Sequence, residues 1–540
     1  MSKTKHEVVG IYLDRSDLLL EIIYICFARG ITYVPLDLSW PFKRISTIID
    51  DVSMAYIITS SKYSNRFLNV KQIIIDEIGD VKKLYGLQND NKYAYILYTS
   101  GTTGVPKGVI ILRDALYNFI DGVSAVIPFR KESTIACFTP VTFDIFFLES
   151  VMAKHKGLRV VMANDIEQNN PKEMVRLLME HKIEMLQITP SRMQLLMNCD
   201  PDLNSLRYCK IIMLGGEPLP FNMLSILQRK TTARIYNMYG PTETTIWSTI
   251  GELTEENRIH VGTPINNTQI FILNESMEPV QQGAVGEICI SGKGLAEGYI
   301  HNADLTSEKF VWLPQRQDVR VYRTGDYGRW LDDGKLECLG RMDNQVKMNG
   351  HRIELEEIEF YLCRYPGILQ SMAVVKQLSD HSSVLIAYYT ATNAINSIDV
   401  MNYLSKEIPS YMIPSILYRV NEFSYTANGK LDRRNAPLSL YNDTAPKIDC
   451  LDEKLSDRQS AIYEVIRSAL PESLANTVEI SDNLRNIGVN SINYICILDS
   501  LEYIFEIEFP TEMMLFSAFQ SLRDMIEYVD SLIESKNQSL

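Results

Sequence analysis

Tyr93-Ala94-Tyr95-Ile96-Leu97-Tyr98-Thr99-Ser100-Gly101-Thr102-Thr103-Gly104-Val105-Pro106-Lys107-Gly108 joins an apolar, aromatic run to a segment of hydroxyls, glycines and one lysine. The run Tyr93–Tyr98 predicts a strand, and the segment Thr99–Gly108 predicts a loop that leaves backbone N–H groups exposed. Successive N–H groups in such a loop make a concave anion site, and Lys107 adds a point charge beside it. Phosphate is the expected ligand, against the alternative of a Gly/Ser-rich surface loop. The Walker spacing is not met, because Pro106 precedes Lys107 and Gly108 follows it in place of Ser or Thr.

Around this segment, strand-like runs alternate with helical periodicity. Val8–Leu13 and Tyr56–Thr59 read as strands, and Ser16–Arg29 and Phe42–Asp51 as helices. That alternation predicts an α/β region with largely parallel pairing, continuing through the runs Lys210–Leu214 and Arg234–Met238. From Gln282 to Leu339 the glycine spacing changes to that of hairpins, which predicts a mostly β section. A second α/β unit follows, with a helix near Glu354–Tyr365, strands near Gln370–Gln377 and Val384–Thr390, and a helix near Ile398–Lys406. Residues Ala436–Leu455 read as a linker, and Ser456–Leu470, Ser491–Phe505 and Phe519–Ser535 as three amphipathic helices.

Composition bounds the function. The chain has 540 residues, 46% hydrophobic and 22% charged, with a formal net charge of -14. At roughly 100–200 residues per domain, three to five structural units are expected. Residues 451–540 hold 16 Asp and Glu against 6 Lys and Arg, so the acidity is concentrated in a separate terminal domain. An acidic chain argues against a general nucleic-acid binder. The apolar run Leu18–Ala28 is broken by Glu21 and is far shorter than the roughly 20 residues of a membrane span. Nine cysteines without a Cys-x-x-Cys pair predict free thiols in a reducing cytoplasm. No Gly-x-Ser-x-Gly elbow and no His-x-x-x-Asp-Gly occurs, and Gly292, Gly294 and Gly298 miss the dinucleotide spacing. These absences take support from a serine hydrolase, a condensation enzyme and a Rossmann dehydrogenase.

Four further segments carry candidate chemistry. In Asn237-Met238-Tyr239-Gly240-Pro241-Thr242-Glu243, a carboxylate among hydroxyls after a strand suits Mg²⁺ held against phosphates; a helix capping box is the alternative. Asp326, after the turn at Gly325, suits the two hydroxyls of a ribose, and Arg341 follows in a similar turn; two ordinary β-turns are the alternative. Asn428-Gly429 would present Lys430 at a tip, where a solvated lysine is the plain reading. Ser491, at a helix start after Gly488, is either an N-cap or a serine open to modification.

Taken together and in order, these segments resemble the adenylation domain of nonribosomal peptide synthetases, a branch of the adenylate-forming enzymes, followed by a peptidyl carrier domain. The resemblance runs from about Val8 to about Val529. Further matches are Gly30–Asp37, Gly286–Tyr299, Gly340–Glu354 and Pro409–Pro414. It implies an α/β fold: a large subdomain over residues 1–342, lacking the family's usual first segment, a small α+β subdomain over 343–437 with a hinge at Asp343, a linker over 438–455 and a helical-bundle carrier over 456–540. Asn349 stands where the family has a basic residue.

The resemblance also implies roles. ATP is bound by Thr99, Ser100, Gly101, Thr102, Thr103, Gly104, Lys107, Gly216, Asn237, Tyr239, Gly240, Thr242, Asp326 and Arg341, with Tyr239 against adenine and Asp326 on the ribose. Glu243 holds Mg²⁺. Lys430, with Lys107, Thr99 and Glu243, is catalytic. The amino-acid pocket is lined by Asp144, Ile145, Leu148, Gln187, Met213, Gly215, Met238, Ile246 and Trp247 and closed by Lys430, a set similar to the family's glycine-selecting pocket. Asp144 would pair with the ammonium and Lys430 with the carboxylate, while Trp247, Met213 and Met238 fill the side-chain space. Ser491 takes 4′-phosphopantetheine from a phosphopantetheinyl transferase, and glycine passes to it as a thioester. Neighbouring synthetase modules or a condensation domain are the implied partners, without nucleic acid or membrane. Two rivals stand beside this reading. One is an acyl or aryl acid ligase, which Asp144 disfavours; the other is a catalytically silent chain acting as a carrier or docking protein.

Overall fold

In the computed structural model, the described residues are 8–87, 91–101, 106–341, 345–348, 351–377, 383–393, 395–424, 431, 433, 456–468, 470, 480, 491–505, 507, 509–510, 513, 519 and 521–539. Tyr93–Thr99 is the third strand of a seven-stranded sheet. The order is Gly298–Tyr299, Lys107–Leu112, Tyr93–Thr99, Thr32–Pro35, Val8–Tyr12, Tyr56–Thr59 and Lys71–Ile74. From Tyr93–Thr99 to Lys71–Ile74 every pairing is parallel. The other two strands pair antiparallel, which leaves the sheet largely parallel, as expected. So short a connection as that between Thr99 and Lys107 can only reverse the chain, since a parallel return needs a crossover. Ser16 accepts the Leu19 N–H to start the helix Asp17–Arg29, and Gly30, at φ 75°, ends it.

A second sheet runs Thr263–Pro264, Thr249–Glu252, Arg234–Tyr239, Ile211–Gly215, Met185–Ile188, Thr134–Cys137 and Arg159–Met162. Its last five strands are parallel. Ile211–Gly215 and Met185–Ile188 are buried throughout, as expected of strands covered on both faces. Residues of both sheets, among them Tyr95, Phe147, Leu148, Met213, Met238 and Trp247, share one core. The glycine-rich section forms the third sheet, wholly antiparallel: Thr268–Leu273, Gly286–Gly292, Arg316–Trp330 and Phe310–Leu313, with Leu336–Arg341 also paired to Arg316–Trp330.

The chain divides into two compact units between Glu354 and Leu355. The first holds the three sheets and the hairpin Val346–Met348/His351–Ile353. Asp343, Asn349 and the linker 438–455 lie outside the described residues. The second unit contains the helix Leu355–Leu362, the sheet Ile368–Gln377, Ser383–Ala391 and Ile416–Arg419, and the helix Ser397–Glu407. It also contains the helices Asp457–Ser468, Ser491–Phe505 and Leu522–Ser539, which enclose a core of their own that includes Ile462, Tyr494, Leu498, Leu501, Met525 and Val529. No described helix is long and apolar enough to cross a membrane.

Candidate active site

The two ends of the segment expected to bind phosphate are adjacent because Thr99 and Lys107 pair in register across antiparallel strands. Thr99 Oγ1 is buried with no hydrogen-bond partner among the described residues. Ser100 is buried, and its hydroxyl donates to the Arg352 carbonyl at 2.8 Å and accepts the Glu354 N–H at 3.2 Å. Lys107 Nζ meets Glu354 Oε1 at 3.2 Å, and Gln345 Nε2 donates to the same oxygen at 2.5 Å. Thr102, Thr103 and Gly104 lie outside the described residues.

Glu243 sits in the 3₁₀ turn Thr242–Thr244, fully buried. The alternative of a capping box fails, since no longer helix follows this turn. Tyr299 donates its hydroxyl to Glu243 Oε1 at 2.8 Å, and Arg352 Nη1 reaches the two carboxylate oxygens at 3.0 and 2.9 Å. Burial alone would push the Glu243 carboxyl up, but the Arg352 guanidinium and the Lys107 ammonium outweigh it and hold it at about 2. No group of three or more His, Cys, Asp or Glu able to hold a metal occurs among the described residues. A cation at Glu243 would therefore take most of its ligands from phosphate and water, which suits Mg²⁺. That donor set fits the metal once Arg352 is withdrawn, because the guanidinium engages both carboxylate oxygens.

Asp326 and Arg341, expected to face the nucleoside, lie in the third sheet. Asp326 and Arg341 pair in register, and Arg341 Nη1 lies 3.3 Å from Asp326 Oδ1 and 2.8 Å from the Thr324 carbonyl. Tyr239 donates its hydroxyl to Asp326 Oδ2 at 2.7 Å. Asn237 spends its amide on the His260 carbonyl at 2.9 Å, which makes it a brace of the strand. Gly240 is required by close packing, because a Cβ there would lie 2.6 Å from the Ile246 carbonyl oxygen.

Sheet register brings together residues expected to line an amino-acid pocket. Met213 pairs with Gln187 and Gly215 with Met238 on neighbouring parallel strands, and residues two apart share a face. Thr245 and Ile246 hold left-handed backbone, at φ 64° and 68°. Such a conformation strains a β-branched residue and collects at functional sites. Thr245 Oγ1 steadies the turn by donating to the Gly294 carbonyl at 2.7 Å. The turn delivers Trp247 onto Gly215, where an added Cβ would lie 2.7 Å from the indole Cη2. Gly216, at φ 86°, has Ile145 within van der Waals reach of an added Cβ. Ile145, Leu148, Met213, Met238, Ile246 and Trp247 are all buried in one core.

Asp144 precedes the helix Ile145–Phe147 and accepts the Thr242 hydroxyl at 2.7 Å. Burial pushes its carboxyl up, so an incoming ammonium would favour its ionised form. Both amide atoms of Gln187, Nε1 of Trp247 and the Tyr95 hydroxyl are buried without hydrogen-bond partners among the described residues. Buried polar atoms are nearly always paired, and orphans clustered beside a pocket are what a polar guest would satisfy.

Lys430 lies outside the described residues. Ser491 opens the helix Ser491–Phe505. The sequence alone assigns no role to Arg352, Glu354, Tyr299 or Tyr95. The first three fall in the matched segments Gly340–Glu354 and Gly286–Tyr299, which is the available signal. Tyr95 is hidden inside an apolar strand.

Residues 3–300 match the family of AMP-binding enzymes. The dimodular nonribosomal peptide synthase of Bacillus subtilis (strain 168) is 34% identical over 486 residues, covering 86% of this chain and 20% of that protein. The chain spans between 8% and 20% of the length of the first curated relatives it matches. A solved holo NRPS protein containing adenylation and PCP domains, bound to a vinylsulfonamide inhibitor, shares the fold at a TM-score of 0.77 and 24% identity, covering 98% of this chain and 89% of that one. A four-domain nonribosomal peptide synthetase bound to AMP and glycine matches at a TM-score of 0.59 and 30% identity, covering 98% of this chain and 39% of that one.

Proposed function

The chain belongs to the AMP-binding enzymes, in the adenylation type of nonribosomal peptide synthetases, and on that premise we propose that its amino acid is glycine and that its own terminal helices carry the acceptor. It is an AMP-forming ligase with the mixed α/β fold of adenylate-forming enzymes. The observation that carries the glycine reading is the contact of Trp247 with Gly215. A side chain on the substrate would have to enter space held by Trp247, Met213 and Met238. Alanine is the nearest competitor, since excluding one methyl is worth only about 1–3 kcal/mol. The solved synthetase bound to AMP and glycine supports the reading.

Asp144 holds the ammonium and Lys430 the carboxylate, so that the carboxylate oxygen faces the α-phosphorus in line with the leaving pyrophosphate. Lys107 and the N–H groups after Thr99 hold the phosphates, and Asp326, braced by Tyr239, holds the ribose. Fixed positive groups around the reacting phosphorus lower the barrier without reorganisation. Mg²⁺ bound at Glu243 would offset phosphate charge. Phosphopantetheine attached at Ser491 by a phosphopantetheinyl transferase would supply the thiol that accepts glycine, for delivery to a condensation domain or neighbouring module. A buried carboxylate facing the substrate's α-position disfavours an acid lacking an amine, hence an acyl or aryl acid ligase. A cytoplasmic setting supplies ATP and the reducing conditions that the cysteines suit.

Amino-acid-dependent pyrophosphate exchange with Mg·ATP, run over all twenty amino acids, tests the reading. A maximum at glycine supports it, a maximum elsewhere overturns the pocket assignment, and no exchange favours the silent carrier.

A further inference from the structure

Glu149 is fully buried in Leu148–Met152, a turn wound as a π-helix that follows directly on the helix Ile145–Phe147. Such turns are frequent at functional sites. The Glu149 carboxylate reaches back to Thr139, accepting its N–H on Oε2 at 2.9 Å and its hydroxyl on Oε1 at 2.5 Å. The segment Thr139–Glu149 is thereby closed on itself, and Asp144 stands at its midpoint, five residues from each end.

Each half of the closed segment is also held by its backbone. The Phe143 N–H donates to the Pro140 carbonyl at 3.0 Å, and the Phe147 N–H to the Asp144 carbonyl at 2.9 Å. The Thr139 end is anchored by Arg15, from the loop after the strand Val8–Tyr12 of the first sheet. Its Nη1 donates to the Thr139 carbonyl and its Nε to the Ala163 carbonyl, both at 2.6 Å. Arg192 Nη1 donates to the adjacent Phe138 carbonyl at 2.8 Å. The Asp144 carboxylate itself is held from another segment, by Thr242 at 2.7 Å.

Burial pushes the Glu149 carboxyl up, and the Thr139 hydrogen bonds and the Arg15 and Arg192 guanidiniums oppose it. Buried ion pairs are often replaceable by apolar side chains at no loss of stability, so the fold alone does not call for a carboxylate here. What the carboxylate supplies is a fixed span between two backbone positions on either side of Asp144.

We propose that Glu149 is a positioning residue for the substrate amine: by closing Thr139–Glu149 it fixes the backbone beneath Asp144, and with it the carboxylate that receives the ammonium. The inference rests on the ammonium role proposed above for Asp144. A displacement of about 1 Å can cost roughly 100-fold in rate. A loosened segment therefore weakens recognition of the amine, while the carboxylate and phosphate ends keep their own holders.

The test is pyrophosphate exchange by the full chain at saturating Mg·ATP, with two acids of one carbon skeleton. They are the amino acid of highest exchange and the 2-hydroxy acid that carries a hydroxyl in place of its amine. Only the first has an ammonium, so the ratio of their kcat/KM values reads the Asp144 contact and cancels any general loss of active enzyme. Asp144→Asn should lower that ratio about 100-fold. Glu149→Gln, which keeps the shape and removes the charge, should lower it about tenfold through KM for the amino acid, with KM for ATP near the parent value. Thr139→Val should move the ratio the same way, and Thr139→Ser, which keeps the hydroxyl, should restore it. An unchanged ratio in Glu149→Gln and Thr139→Val, or an equal loss with both acids, would overturn the proposal and leave Glu149 as a structural group. If Glu149→Gln fails to fold by thermal melt, the two Thr139 variants decide alone. An unchanged ratio in Asp144→Asn would overturn the ammonium role, and this proposal with it. A ratio lowered in Asp144→Asn alone would overturn only the role of Glu149. Because the pair of acids is chosen by exchange, the comparison does not depend on which amino acid is preferred.

Discussion

Trp247 and Gly215 compete for one volume: a Cβ built on Gly215 would stand 2.7 Å from the indole Cη2 and 2.7 Å from the Met238 carbonyl oxygen. The carbonyl belongs to the neighbouring strand and cannot yield, so Gly215→Ala should cost about 1–3 kcal/mol of stability. Trp247→Leu vacates space instead. It should shift pyrophosphate exchange from glycine toward alanine and serine, raising the alanine-to-glycine ratio of kcat/KM by about tenfold or more. Exchange kinetics across the three amino acids measure it, and an unchanged ratio would place the specificity wall elsewhere.

Asp144, proposed above to hold the substrate ammonium, should cost the fold stability at neutral pH. Its carboxyl is half-buried, and burial pushes it up from its ordinary 3.8. A carboxyl raised in the folded state favours folding below its ordinary value, and that contribution is lost as pH rises through the folded value. At pH 7 Asp144→Asn should therefore gain about 1 kcal/mol, a few degrees in Tm. The gain should shrink as pH falls below about 4, where the parent carboxyl is protonated in both states. Amino-acid-dependent exchange should be lost. Thermal melts at pH 7 and pH 3.5 check the sign, and a loss of stability at pH 7 would contradict it.

Tyr239 reaches the site through Asp326, to which it donates at 2.7 Å. A hydrogen bond to a charged acceptor is worth about 1.5–3 kcal/mol. Tyr239→Phe keeps the ring and removes the bond, so KM for ATP should rise about tenfold while KM for the amino acid stays near the parent value. Equal changes in both would assign Tyr239 to the shared architecture of the site.

Much of the fold was legible because its signals are local. The helix Asp17–Arg29 announces itself by Ser16 and Gly30, and strands such as Val8–Tyr12 by unbroken apolar runs. Lys107 and Glu243 are near enough for the ammonium to act on the carboxylate, and Asp326 lies in the same unit. What the sequence hid is pairing at long range. Nothing near Arg352 marks Glu243 as its partner, since the two lie in separate segments that only the hairpin's seating joins. The antiparallel turn at the phosphate segment was likewise a matter of pairing, and periodicity reports burial, not direction. The strained backbone at Ile246 has no local signature in a β-branched residue.

The two half-reactions should separate by mutation, because the residues proposed for them lie far apart in the chain. Lys430, which follows Asn428-Gly429 in the sequence, is proposed for the adenylation step alone. Lys430→Ala should lower pyrophosphate exchange by about 100-fold or more, the loss typical of one charge-stabilising group. It should still gain the mass of phosphopantetheine when treated with a phosphopantetheinyl transferase and coenzyme A. Ser491 opens a helix in the terminal bundle, which has its own core, so Ser491→Ala should show the reverse: full exchange and no mass gain. Intact mass spectrometry beside the exchange assay reads both variants. Mass gain surviving in Ser491→Ala would move the attachment to another serine, and exchange lost in Ser491→Ala would tie the bundle to the first step.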